Sequence, residues 1–288
     1  MTYRPRRSVL YMPGNNDRAL EKAKSLDVDA LILDLEDSVA PEQKGEAREK
    51  LKTVVSQRGF GRREVAIRVN ALDTAWAEDD LRMAAAAKPD AVLIPKVNNP
   101  GDVMTALAKL HAAGAPRAVN LWAMIETPHA ILNLREISAE APAAQLTCFI
   151  LGTNDLVKET RASITGGRFA ILPWLSMAVI AGRAAGIDVI DGVYNDFKDE
   201  VGFRAECEQG RALGMDGKTL IHPSQIASCN DMFSPSEAEV TWASKVIAAF
   251  ALPENIAKGV LTVEDKMVER LHLTMAERVA AIAKTIRA

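Results

Sequence analysis

Asn120-Leu121-Trp122-Ala123-Met124-Ile125-Glu126-Thr127-Pro128 runs apolar, meets a carboxylate, and is stopped by a proline two residues on. Proline lacks the N–H that a strand ladder requires, so a strand ends before it. The stretch reads as a buried parallel strand that delivers Glu126 to its C-terminal edge, where α/β proteins place their chemistry. Cys148-Phe149-Ile150-Leu151-Gly152-Thr153-Asn154-Asp155 has the same build, opening from apolar into small and acidic residues. Two carboxylates on neighbouring strand ends suit a hard, oxygen-seeking cation.

Working outward, six more runs read as strands: Arg7 to Pro13, Ala30 to Glu36, Glu64 to Asn70, Ala91 to Val97, Asp188 to Val193 and Gly217 to His222. Helical spacing falls between them, at Arg18 to Leu26, Pro41 to Val55, Asp79 to Ala87 and Asp102 to Ala113. It recurs at Trp174 to Ala185, closed by Gly186, and at Gly202 to Leu213, closed by Gly214. Eight strand-like runs, mostly ~25–35 residues apart, match the period of a (β/α)8 TIM barrel, which needs roughly 250 residues. An open doubly wound sheet is disfavoured: no G-x-G-x-x-G follows the first run, and polar residues close nearly every run. The segments share no repeated signature, as a solenoid would.

The expected organisation is a barrel over residues 1–232 and an extension over 233–288. In the extension, Ser234-Pro235-Ser236-Glu237 reads as a capping box with proline at the first helical position. Its helix runs to about Phe250 and is broken at Leu252-Pro253. Lys258 to Val263 suggests a short strand and Ala276 to Arg287 a last helix. The extension is not needed to close the barrel, so it is free to pack on a neighbour or cover a site.

Hydrophobic residues at 48% and charged residues at 25% are ordinary for a globular protein. A net charge of −3 offers no basic field for nucleic acid, and Arg6-Arg7 and Arg62-Arg63 read as solvated pairs. The three cysteines, Cys148, Cys207 and Cys229, fit neither a disulfide framework nor a zinc spacing and are read as core or helix-face residues. With no signal-peptide core and no apolar run near ~18 residues, the expectation is a cytoplasmic protein.

Several residues could carry chemistry. Glu126 and Asp155 read as Mg²⁺ ligands, or as a helix cap and an arginine partner. Arg68 could hold a carboxylate or stabilise an enolate oxygen, or pair with Asp34 or Glu36 on the adjacent strand. Asp34, Glu36 and Asp37 crowd one strand end, where close carboxylates push one pKa up. They could act as acid or base, orient Arg68, or only support it. Lys96 is a cation at the mouth, read as bridging to Glu126 or the Asp34 group ahead of a Schiff-base role. His222, before Pro223, reads as a satisfied loop histidine ahead of a ligand contact, and His111, His129 and His272 have no metal-ligand spacing. Gly166-Gly167 marks a loop or lid.

Arg6-Arg7-Ser8-Val9-Leu10-Tyr11-Met12-Pro13-Gly14-Asn15, Leu33-Asp34-Leu35-Glu36-Asp37-Ser38-Val39, Ile67-Arg68-Val69-Asn70, Ile94-Pro95-Lys96-Val97, Ile125-Glu126-Thr127-Pro128, Gly152-Thr153-Asn154-Asp155-Leu156 and Ile221-His222-Pro223-Ser224-Gln225-Ile226 occur in this order. Together the chain resembles the citrate lyase β-subunit-like proteins of the HpcH/HpaI aldolase superfamily, which includes malyl-CoA and citramalyl-CoA lyases. The resemblance covers essentially the whole chain. It implies a TIM barrel that makes or breaks a C–C bond beta to a thioester with Mg²⁺. It makes Glu126 and Asp155 metal ligands and Arg68 the substrate contact that steadies the enolate. Asp37 and Glu36 would support Arg68 and the metal waters, Lys96 would sit at the same mouth, and Arg18 would reach coenzyme A phosphates. The family's proton donor is an Asp in a Gly-Lys-Met-Ile-Asp stretch of the C-terminal tail, placed over a neighbouring subunit's barrel. Here the stretch is Asp265-Lys266-Met267-Val268-Glu269, so Glu269 either replaces that Asp or is an ordinary helix-start acid.

The expected function is a Mg²⁺-dependent acyl-CoA lyase on a malyl-CoA or citramalyl-CoA type of thioester, releasing acetyl- or propionyl-CoA with glyoxylate or pyruvate. The expected assembly is a homotrimer, or a hexamer of trimers. Rival readings are a malyl-CoA thioesterase, a citrate lyase β-subunit working with an acyl carrier, an aldolase making free 2-keto acids, and a non-catalytic CoA-binding subunit.

Overall fold

Eight parallel strands close into a barrel in the computed structural model, which describes residues 4–164 and 166–287. In chain order they are β1 (Ser8–Pro13), β2 (Ala30–Asp34), β3 (Glu64–Arg68), β4 (Ala91–Ile94), β5 (Asn120–Ile125), β6 (Leu146–Leu151), β7 (Asp188–Asp191) and β8 (Gly217–Leu220). Each pairs with its sequence neighbours, and β8 returns to β1 through Ser8↔Lys218, Val9↔Thr219 and Leu10↔Leu220. Helices connect the strands, and the fold is a TIM barrel.

Side chains alternate along a strand, and here that alternation selects the barrel's contents. Val9, Ala30, Ile32, Ala66, Ala91, Leu93, Trp122, Met124, Cys148, Ile150 and Ile190 fill the interior. Two residues on from Ile32, Ala66 and Met124 stand Asp34, Arg68 and Glu126. The same faces that pack the core therefore carry these three charged groups at its C-terminal rim.

The strands are shorter than the apolar runs suggest. Glu36, Asn70, Lys96, Glu126, Val193 and His222 all lie just past a strand end. Asp155, read as a strand end, belongs instead to the first turn of the helix Thr153–Thr160, because β6 stops at Leu151 and Gly152 caps the helix. A carboxylate in a first turn also complements the helix dipole. Short helices Pro128–Leu132, Leu134–Ala139, Ala141–Ala144 and Ile226–Phe233 have too few apolar repeats to show in the sequence.

Arg6 and Arg7 are buried, contrary to their reading as solvated. Arg6 makes two 2.7 Å hydrogen bonds to Glu64 and one of 2.6 Å to Asp188 at the barrel floor. Arg7 pairs with Asp29 at 2.8 Å. Gly166 and Gly167 have φ of 68° and 87° in the loop after the helix Thr153–Thr160; Thr165, beside them, lies outside the described residues. No helix among the described residues is long and apolar enough to cross a membrane.

The chain divides into two units, Arg6–Met232 and, with the chain start, Phe233 onward. In the second, the capping box lies two residues beyond the expected one. Ser236 caps the helix Glu237–Ala251 and exchanges hydrogen bonds with Glu239, leaving Pro235 outside. Strand β9 (Val260–Val263) pairs antiparallel with β10 (Lys266–Glu269) across Glu264 and Asp265, whose φ values of 48° and 61° make the tight turn. β10 and the early start of the last helix, Arg270–Arg287, escape a sequence reading because Glu-Asp is not a usual hairpin turn. Val246, Phe250, Leu261, Val263 and Val268 form this unit's core.

Candidate active site

Arg68 is the most constrained charge at the rim. β2 and β3 pair Asp34 directly with Arg68. Arg68 Nε and Nη2 each donate to an Asp34 oxygen at 2.7 Å, a bidentate fork. Arg68 Nη1 lies 2.8 Å from Glu36 Oε2 and donates to Asp37 Oδ2 at 3.3 Å, and the guanidinium sits 5.0 Å from the Tyr11 ring centre. Burial alone would lower the arginine's pKa, but Asp34 outweighs it and holds Arg68 well above its ordinary value. Burial would raise Asp34, yet Arg68 and the N–H groups of Ser38 and Glu36 hold it below its usual range.

Glu36 behaves differently on the same rim. Burial first, then Asp37 and Glu126, push it up to about 8, with Arg68 pulling the other way. Its Oε2, although close to Arg68, receives no aligned hydrogen bond. The acid crowding at this strand end thus divides into a carboxylate held charged by Arg68, Asp34, and a carboxyl whose burial favours its protonated form, Glu36. Lys44, buried, donates at 2.8 Å to the Leu35 and Glu36 carbonyls and so pins the loop that carries both Glu36 and Asp37.

Glu126 and Asp155 do come together, joined by Lys96. Glu126 is 1% exposed. Its Oε1 accepts the Lys96 N–H at 2.7 Å, and the Lys96 ammonium stands 3.4 Å from that oxygen and 3.3 Å from Asp155 Oδ1. Strand alternation would send Lys96 away from the rim. A left-handed backbone at φ 55° turns both its N–H and its ammonium onto Glu126. Hydrogen bonds from Asn98 Nδ2 to the Lys96 carbonyl, Thr127 Oγ1 to Asn98 Oδ1 and Asn133 Nδ2 to the Asn98 carbonyl hold that turn. Burial raises the pKa of Glu126. Lys96 is raised too: burial opposes its charge, but Glu126, Glu36 and Asp155 outweigh it.

Glu126 Oε2 is buried and has no hydrogen-bond partner. Gly152 leaves it room, since a methyl on Gly152 would stand 2.6 Å from this oxygen. An unpartnered buried carboxylate oxygen beside a second carboxylate is a donor set for Mg²⁺, which is held by one or two carboxylates and keeps several waters. The residues present therefore fit the ion. No cluster of three or more His, Cys, Asp and Glu groups able to hold a metal occurs among the described residues.

A cavity of about 310 Å³ opens over these groups. Arg68, Asp34, Asp37, Glu126 and Asp155 line it, with Tyr11, Met124, Gly152 and Thr219 among the residues between. Tyr11 shares an inward face with Val9, so alternation along β1 could have placed it at the site; nothing in the sequence marks Thr219. Lys96 borders a second cavity of about 320 Å³, with Asp73, Asn98 and Thr127. Arg18 is exposed on the helix Asp17–Ala23 and does not line the main cavity. Glu269 ends β10 in the second unit, where its N–H donates to His272 Nδ1 at 2.9 Å. His222 Nδ1 lies 2.8 Å from Ser224 Oγ and its ring stacks on Phe197, as a loop residue would. All three cysteines are buried.

The sequence profile of the HpcH/HpaI aldolase/citrate lyase family matches residues 7–223. A (3S)-malyl-CoA thioesterase from Cereibacter sphaeroides is 47% identical over 99% of this chain and 96% of its own length. The human mitochondrial citramalyl-CoA lyase is 32% identical over 99% of this chain and 87% of its own. The CitE protein of Mycobacterium tuberculosis, solved in complex with magnesium, acetoacetate and coenzyme A, superposes with a TM-score of 0.77 at 28% identity, covering 96% of this chain and 97% of that one. With the barrel and its acidic rim, these likenesses make the chain an enzyme of the HpcH/HpaI aldolase/citrate lyase family, in the group that acts on CoA thioesters as lyases or thioesterases.

Proposed function

We propose that the protein is a Mg²⁺-dependent thioesterase that hydrolyses a malyl-CoA type of 3-hydroxyacyl-CoA to the free hydroxy acid and coenzyme A. One observation carries this choice: the relatives that share nearly half its residues across the whole chain are malyl-CoA thioesterases, while the lyases share about a third. It displaces the C–C lyase as the preferred outcome, and the lyase becomes the second reading, supported by the citramalyl-CoA lyase relative.

The geometry suits either outcome up to the fate of the acyl group. Glu126 and Asp155 would hold the ion. When bound, it supplies Lewis-acid polarisation and positive charge for the substrate's oxygens. Arg68, locked by Asp34, presents a fixed cation into the cavity, suited to the oxyanion of an attacked thioester or to the enolate of a cleaved one. Asp37 lines the cavity with a mostly exposed carboxylate whose one ion-pair contact to Arg68 is long, 3.3 Å, which supports a role in taking a proton from an attacking water. Glu269 would act on a neighbouring copy's cavity in a homotrimer or a hexamer of trimers, with the second unit supplying it. Arg18 is proposed only as an outlying contact for coenzyme A phosphates.

The test is a Mg²⁺-dependent assay on the purified protein with malyl-CoA and citramalyl-CoA, following free thiol, malate or citramalate, glyoxylate and pyruvate together. Free thiol in step with the hydroxy acid is expected, and abolished by chelation of Mg²⁺. Keto acid without free thiol would make the protein a lyase, and turnover of neither substrate would remove both readings.

A further inference from the structure

The two oxygens of Glu126 have different fates. Oε1 is taken by the Lys96 N–H at 2.7 Å and faced by its ammonium at 3.4 Å. Oε2 is buried with no partner. The same ammonium stands 3.3 Å from Asp155 Oδ1. Both distances are at or beyond the long end of a normal ammonium–carboxylate hydrogen bond, so the ammonium acts mainly as a charge shared between the two acids. Its position is built, since Lys96 is one of few non-glycine residues here with a left-handed backbone, and Asn98, Thr127 and Asn133 hold that turn in place. Such strain persists at a rim only where the surroundings enforce it.

A charge count follows. Glu126 and Asp155 bring two negative charges and Lys96 returns one. Arg68 and Asp34 cancel each other by their bidentate pair. Lys158 approaches Asp155 at 3.6 Å and Asp37 approaches Arg68 at 3.3 Å, but both side chains are mostly exposed and their charges are screened, while burial beside Arg68 favours the protonated form of Glu36. A divalent ion added here would leave a surplus of one positive charge. The carboxylate of a malyl-type acyl group cancels that surplus, whereas a plain acyl group does not.

We propose that Lys96 makes divalent-cation binding at Glu126 and Asp155 conditional on a carboxylate-bearing acyl thioester, so that metal and substrate load together and acyl groups without a carboxylate are selected against. The substrate class rests on the function proposed above; the role of Lys96 in metal binding does not.

The test is Mn²⁺ binding followed by electron paramagnetic resonance, with no turnover read. In the wild-type enzyme malonyl-CoA tightens Mn²⁺ binding roughly tenfold, as expected for one compensated charge at this range, and acetyl-CoA does not. Lys96→Met keeps the backbone N–H and the aliphatic stem. It binds Mn²⁺ alone roughly tenfold more tightly than the wild type and gains little from malonyl-CoA. Lys96→Gln does the same, should the methionine variant fold poorly, and Lys96→Arg stays close to the wild type. Unchanged or weaker Mn²⁺ binding in both neutral variants would overturn the proposal, as would a full malonyl-CoA effect in them. A protein that shows the Mn²⁺ pattern yet hydrolyses no malyl-CoA would keep the Lys96 inference and remove the thioesterase reading.

Discussion

Glu36 shows how one residue's surroundings set its charge. It lies beside an arginine, yet burial and the neighbouring acids Asp37 and Glu126 raise it from 4.5 to about 8. Arg68 has already committed two of its nitrogens to Asp34. A carboxyl raised in the fold stabilises fully below its unfolded value and loses that contribution as pH rises through its folded one. Wild-type stability, measured by urea unfolding in chelator, therefore declines between about pH 4.5 and 8. Glu36→Gln, which keeps a neutral group there, shows a shallower decline over the same window. Parallel curves for the two proteins would mean that Glu36 is charged in the fold. Arg68 would be a poor place for lysine, since an ammonium cannot reproduce the fork that Asp34 accepts.

At the scale of elements, the barrel wall is tied to its outer layer by a buried charge network. Lys218 on β8 is 0% exposed. Its ammonium donates to Asp191 Oδ2 at 3.1 Å, Glu206 Oε1 at 2.6 Å and the Gly192 carbonyl at 2.5 Å. Arg168 donates to both Asp191 oxygens at 2.8 and 3.0 Å and to Gln209 at 2.8 Å. Asp191 therefore joins β7, β8 and the loop that carries Gly166 and Gly167. Lys218 and Arg168 hold Asp191 below the usual carboxylate range in spite of its burial. Breaking one member of such a set leaves uncompensated buried charge, at a cost of about 3–5 kcal/mol. Asp191→Asn is expected to lower stability by about that amount in urea or thermal unfolding. A loss under 1 kcal/mol would show that water or rearrangement compensates the two cations.

The whole molecule raises the question of where Glu269 works. It belongs to the second unit, and the cavity-lining residues all belong to the barrel. If Glu269 serves a neighbouring copy, Glu126→Gln and Glu269→Gln enzymes, each impaired alone, regain activity when dissociated and reassembled together. Mixed oligomers then contain some cavities with an intact Glu126 and a neighbour's intact Glu269. Recovery of roughly a quarter of wild-type activity is expected from random pairing of intact halves. No recovery despite confirmed mixing would place Glu269 outside the reaction or within its own subunit's site. Mass measured in solution by light scattering tests the proposed trimer or hexamer directly.

Much of this protein was legible in its sequence. Eight apolar runs with polar ends, separated by helical spacing, are a direct consequence of strands buried on both faces, so the barrel is legible in the chain itself. Glu126, Arg68 and Asp34 were legible for the same reason, since each stands at or near the end of a run and strand parity sends it inward. The tertiary structure alone decided the rest. It put Asp155 on a helix, buried Arg6 and Arg7 at the barrel floor, and divided Asp34 from Glu36 by which of them Arg68's fork reaches. It also turned Lys96 onto both acids through a backbone dihedral that no composition or spacing encodes. Apolar periodicity is a local property carried by neighbours in the chain. The pairing of charges depends on groups dozens of residues apart that meet only when the barrel closes.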